Sequence, residues 1–138
     1  MRFTVRTAAT LLLLLTGLGA LAQDGRVDVT LTHMGTDNLG KRLALALRNQ
    51  LATSKRINLV KTSDERIGVY LATMANGQST VYSATWTLGG MADDGYLTSR
   101  VGICRADAIW ACARTLLAET DKHANVLYSV HHQVPAAR

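Results

Sequence analysis

Between residues 26 and 60 the spacing of apolar side chains changes period twice, and this change limits the folds open to the chain more than any single motif does. Val27, Val29, Leu31 and His33 alternate with Asp28, Thr30, Thr32 and Met34, the period-two pattern of a half-buried strand. Gly35-Thr36-Asp37-Asn38 then offers capping residues, and over residues 39–53 Leu39, Leu43, Ala46, Leu47 and Leu51 fall on one face at helical spacing. Ser54-Lys55-Arg56 ends that helix, and Ile57-Asn58-Leu59-Val60 reads as a short second strand. Joined in a right-handed crossover, the two strands lie parallel in one sheet with the helix packed on a face.

The remaining pattern extends the sheet. A polar turn at residues 62–66 precedes a β-rich run over 67–74, and Asn76-Gly77 reads as a hairpin turn in which both residues tolerate positive φ. Over 79–88, Tyr82, Ala84, Trp86 and Leu88 share one face and Val81, Ser83, Thr85 and Thr87 the other, which implies one buried and one wetter side. After a flexible glycine-rich loop at 89–95, residues 96–103 complete a three-stranded meander. A last helix starts near 105–107 and buries Ile109, Ala113, Leu116 and Leu117. Residues 124–133 either prolong it, with Thr120, Ala124, Leu127 and His131 continuing the stripe, or form an edge strand with Val126, Tyr128 and Val130 alternating. The stripe favours helix to about residue 128, then a loose tail containing Pro135. Two helices on one face of a five-stranded, mixed and mainly antiparallel sheet bury both stripes at once, so the expected fold is an α+β two-layer sandwich.

The amino terminus reads as an export signal. Arg2 and Arg6 form the charged start, Leu11-Leu12-Leu13-Leu14-Leu15 opens the apolar stretch, and Ala20-Leu21-Ala22 supplies the small residues before a cleavage point at Gln23. The apolar run over 8–22 falls short of the roughly 20 residues needed to span a bilayer. The expectation is therefore a cleaved leader at 1–22 and a single exported domain at 23–138, periplasmic or secreted, with no membrane-spanning segment after cleavage. In such an oxidising compartment the two cysteines, Cys104 and Cys112, are expected to form a disulfide that pins the last strand to a position about two turns into the following helix.

Composition and motifs exclude several function classes. With 48% hydrophobic and 18% charged residues, 11 Gly and 1 Pro, the chain is neither collagenous nor strongly disordered. The net charge of +5 includes the two leader arginines and lacks the dense basic stripe of a nucleic-acid binder; attraction to an anionic envelope surface is the more natural consequence. No Gly-x-Ser-x-Gly elbow frames a nucleophile. The carboxylate pairs Asp64-Glu65 and Asp93-Asp94 fall in turns, where solvated side chains are the rule. His131 and His132 diverge on either a helix or a strand, so no metal is expected, and Gly89-Gly90 lacks the Lys-Ser/Thr of a phosphate loop, so no cofactor is expected. His33 and His131 are the positions around which a histidine-dependent secreted enzyme would have to be built.

Lys41, Arg48 and Lys55 recur every seven residues along one edge of the first helix, with Arg42 beside them and Leu45 projecting nearby. An apolar side chain ringed by cations forms a small docking site for an acidic partner. Tyr70, Thr80 and Thr85 on the wetter faces of the middle strands offer a second surface, through sheet-edge pairing.

The run from Leu39-Gly40-Lys41-Arg42-Leu43-Ala44-Leu45-Ala46-Leu47-Arg48-Asn49-Gln50-Leu51 to Ser54, followed by residues 57–60, resembles the helix-and-strand unit of the TolB amino-terminal-domain family and related accessory modules of bacterial envelope proteins. The resemblance implies a non-catalytic module that docks onto other envelope proteins. The expected function is thus a small non-enzymatic exported protein that binds another envelope component. The alternatives are an inhibitor or immunity-type protein using residues 91–95 as a plug, and the histidine-dependent enzyme.

Overall fold

The computed structural model describes residues 25–63, 65–89 and 94–133, with side chains of the last helix described to residue 129. Five strands, β1 (Val27–Met34), β2 (Ile57–Leu59), β3 (Arg66–Asn76), β4 (Ser79–Gly89) and β5 (Gly95–Arg105), form one sheet in the order β2-β1-β3-β4-β5. Helix α1 (Asn38–Thr53) connects β1 to β2, and helix α2 (Ile109–Gln133) follows β5 through a 3-10 turn at Ala106–Ala108. β1 pairs in parallel with both β2 and β3, while β3-β4 and β4-β5 are long antiparallel ladders, so the sheet is mixed and mainly antiparallel.

Both helices lie on the same face. One core unites Leu43, Leu47 and Leu51 of α1 with Ile109, Ala113, Leu116 and Ala124 of α2, over Val29, Ile67, Val69, Leu71, Ala84 and Trp86 of the sheet. Each helix follows a strand of the same direction, β1 or β5, so the two begin at one end of the sheet and run back together. Their contacts step in that sense: Gln50 Nε2 donates to the Trp110 carbonyl at 3.3 Å, and in the turn just past α1 Arg56 Nη1 donates to Asn125 Oδ1 at 2.6 Å. In the centre the buried Trp86 indole N–H donates to Thr120 Oγ1 at 2.9 Å, and that hydroxyl donates to the Leu116 carbonyl, so a polar pair inside the core is fully used.

Several local expectations are corrected. The hairpin turn is Gly77-Gln78, because Asn76 still pairs with Ser79; only Gly77 has positive φ, 60°, the signature of a glycine-first turn that sequence inspection had placed one residue early. β2 stops at Leu59, although the Val60 amide still donates to the Val29 carbonyl. α2 continues to Gln133 and excludes an edge strand over 124–133, since Thr120 and Ala124 are buried and Leu127 is half-buried on the same stripe as Leu116. The disulfide between Cys104 and Cys112 is present, with Cα atoms 6.2 Å apart, but Cys112 falls in the first turn of α2 because the 3-10 turn displaces the helix start. The leader at 1–22, Pro135 with the tail, and residues 90–93 lie outside the described residues.

Candidate functional site

The entry of α1 is fixed by a hydrogen-bonded latch that joins three elements. Asp37 is the N-cap: its Oδ2 accepts from the Gly40 amide at 2.7 Å, which satisfies one of the free N–H groups at a helix start. Its Oδ1 accepts from Thr73 Oγ1 of β3 at 2.7 Å, and Thr73 Oγ1 lies 2.9 Å from His33 Nε2 at the end of β1. Because Thr73 gives its proton to the carboxylate, the imidazole must be the donor in the second bond. Burial works to raise the Asp37 carboxyl, but the hydrogen bonds from Thr73 and the Gly40 amide oppose it, and the group is held below its usual value. The hydroxyl is thus committed as a tie between β1, β3 and α1.

From this entry α1 carries the sequence-marked edge. Lys41, Arg42 and Arg48 are exposed, Leu45 is 58% exposed among them, and of the described residues none lies within ion-pair distance of these three cations. Lys41, Leu45 and Arg48 follow at spacings of four and three, one strip along the outer side. Lys55 is not part of that strip: α1 ends at Thr53 with Ser54 as its C-cap, so Lys55 is an exposed residue of the turn beyond. Lys41 and Arg42 lie near the N-terminal end of the helix, where the dipole gives cations no support, while Arg48 lies past its middle. The first turn holds no acidic residue and the last no basic one, whereas the helix dipole favours the reverse. Local rules are most often broken where a surface is used.

The second surface read from sequence is rearranged. β3 and β4 are interior strands, each paired on both sides, so neither presents an edge; the edges are β2 and β5. Thr80 shares the face of Tyr82 and is fully buried, its hydroxyl within 3.3 Å of the Met74 and Val81 carbonyls. Tyr70 and Thr85 do pair across the uncovered face of the sheet. That face also bears a row the sequence reading missed: Met74, Val81 and Ile103 stand opposite one another across β3, β4 and β5, with Met34 and Val101 in the adjacent row. Met34, Met74, Val101 and Ile103 are each more than half exposed. The signal lay in β5, where Val101 and Ile103 alternate opposite to Cys104.

The histidines and carboxylates are dispersed. His33 belongs to the latch, and His123 is half-buried against Trp86, ring centroids 6.2 Å apart, with Nε2 3.5 Å from Glu119 Oε1. Asp94 pairs with Arg66 at 3.4 Å and Glu65 is exposed, while Asp64 and Asp93 lie outside the described residues, as do the side chains of His131 and His132. Among the described residues no three His, Cys, Asp or Glu side chains gather where they could hold a metal, and no helix is long and apolar enough to cross a membrane. Comparison of the sequence with protein-family models and with curated proteins finds no match.

Proposed function

We propose that the chain is a small, non-enzymatic exported protein that binds an acidic component of the bacterial envelope through the outer edge of α1. One observation carries this reading: Lys41, Arg42 and Arg48 surround an exposed Leu45 with no anionic partner among the described residues, and two of the three, Lys41 and Arg42, lie near the helix N-terminus. Cations without anionic partners around an exposed leucine add nothing to the fold, and such a surface is suited to use outside it. Leu45 supplies the apolar centre that a docking patch needs, and the cations supply the rim that attracts and orients an acidic partner. The latch at Asp37, Thr73 and His33 fixes the backbone at the start of the edge, so the ordering cost on binding falls on the cationic side chains alone. The resemblance of residues 39–60 to the TolB amino-terminal-domain family points to the same role.

The test is association of the purified exported protein with a washed envelope fraction. Binding should weaken as salt rises, because the cations are exposed to screening. The double variant Lys41→Glu/Arg48→Glu should lower affinity by about tenfold or more. Association that resists both salt and charge reversal would overturn the proposal.

A further inference from the structure

On the opposite side of the sheet from both helices, an open cleft of about 520 Å³ is lined by hydroxyl groups, two cations and one aromatic ring: Thr30, Thr32, Lys61, Ser63, Arg66 and Tyr70. Two glycines leave room for side chains that line it. A Cβ on Gly68 would crowd the Thr87 hydroxyl at 2.5 Å and the Tyr70 ring at 3.1 Å, so the glycine gives both side chains room. A Cβ on Gly89 would stand 2.8 Å from Arg66 Nη1 and 2.9 Å from its Cζ, so this glycine makes room for the guanidinium. Asp94 fixes both groups: its carboxylate accepts from Tyr70 Oη at 3.1 Å and from Arg66 Nη2 and Thr87 Oγ1 at 3.4 Å. Arg66 Nη1 also donates to the Ser63 carbonyl at 2.7 Å.

The chemistry of this cleft selects its ligand. The charge of Arg66 is taken up by Asp94, which leaves an immobilised aromatic ring beside the hydroxyls of Thr30 and Thr32 and the ammonium of Lys61. Of the described residues, none bonds to those three side chains. A lipid or aromatic ligand would strand these polar groups, and a phosphate would find one free cation only. A pyranose has a C–H face that packs on an aromatic ring, and equatorial hydroxyls that both donate and accept at its rim. We infer that this cleft is a saccharide-binding site, with the Tyr70 ring as platform and Thr30, Thr32 and Lys61 as hydroxyl partners. The site is separate from the α1 edge, so its success or failure is independent of the docking proposal.

The experiment is an amide NMR titration of the exported chain with two neutral trisaccharides, N-acetylchitotriose and maltotriose. Saturable shifts centred on Thr32 and Tyr70 are expected with at least one of them, at millimolar affinity. A response to the first alone identifies N-acetylated glycan as the source, and a response to the second alone identifies unmodified glucan. Tyr70→Ala should weaken binding about tenfold or more, whereas Tyr70→Phe, which keeps the ring, should retain most of it. Thr32→Gln, at an exposed β1 position directly beside Tyr70, should fill the cleft over the ring and weaken binding while Tyr70 itself is kept. Absence of saturable shifts with both sugars would overturn the inference, as would wild-type affinity in folded Tyr70→Ala or Thr32→Gln protein.

Discussion

A single hydroxyl, that of Thr73, joins the start of α1 to two strands, and its surroundings make sharp demands on neighbouring residues. Ala is the better helix former than Gly by about 1 kcal/mol. At position 40, however, a Cβ would run into Thr73 Oγ1 and the Asp37 carboxylate. Gly40→Ala is therefore expected to destabilise by roughly 1–3 kcal/mol, as overpacking does, and a denaturant midpoint above wild type would refute the latch. Asp37→Asn supplies one acceptor oxygen where two are used, and should cost about 1 kcal/mol near neutral pH. The carboxyl of Asp37 is more acidic folded than unfolded, so the stability it contributes is complete above the ordinary carboxylate range and is lost as pH falls through the depressed value. The difference in stability between wild type and Asp37→Asn should accordingly shrink on acidification, measured by urea unfolding across that range. Sequence marked residues 35–38 as capping, but no local pattern could announce that the second acceptor oxygen serves Thr73, a residue of another strand. Thr80 illustrates the same limit in reverse: a threonine looks suited to the wet face, while strand parity with Tyr82 puts it inside.

Elements were most legible where their periodicity is sustained. The stripes of α1 and α2 and the alternation of β1 and β4 identify five strands and two helices because each buries one face against a common core. Ends were less legible. The last turns of α2 have both helical and alternating patterns, and the half-buried Leu127 over the buried Ala124 decides between them only once the sheet is in place. The start of α2 was displaced by a 3-10 turn that apolar spacing does not reveal. The disulfide across that turn closes a short loop, with a sequence separation of 8. In the chain-entropy account, a loop of this size stabilises by about 2–3 kcal/mol. A Cys104→Ala/Cys112→Ala variant should lose that amount and remain folded, since Cys104 is only one member of a continuous core. An unchanged midpoint would show that the crosslink contributes nothing to stability.

At the scale of the molecule, placing both helices on one side gives the domain two unlike surfaces. The helical side presents α1 with its cations, and the uncovered sheet presents a polar cleft at one end and the Met74, Val81 and Ile103 row at the other. Sequence alone placed the exposed cations of α1, though not Lys55, because charges on an amphipathic helix can be located by period. The second depends on register across β1, β3, β4 and β5, which apolar spacing does not contain. If the α1 edge serves binding, stability and function must separate there. Lys41→Glu puts an acid near the helix start and should leave the unfolding free energy unchanged or raise it by a few tenths of a kcal/mol, while binding falls. The most direct measurement is site-specific photo-crosslinking in the native envelope, with the photoreactive group at position 45 and a control at position 85 on the uncovered sheet. The expected result is a discrete adduct with an acidic component from position 45, weakened by Lys41→Glu/Arg48→Glu in the same chain and not formed from position 85. An adduct from position 45 that is indifferent to charge reversal, or none at all from that position, would contradict the account.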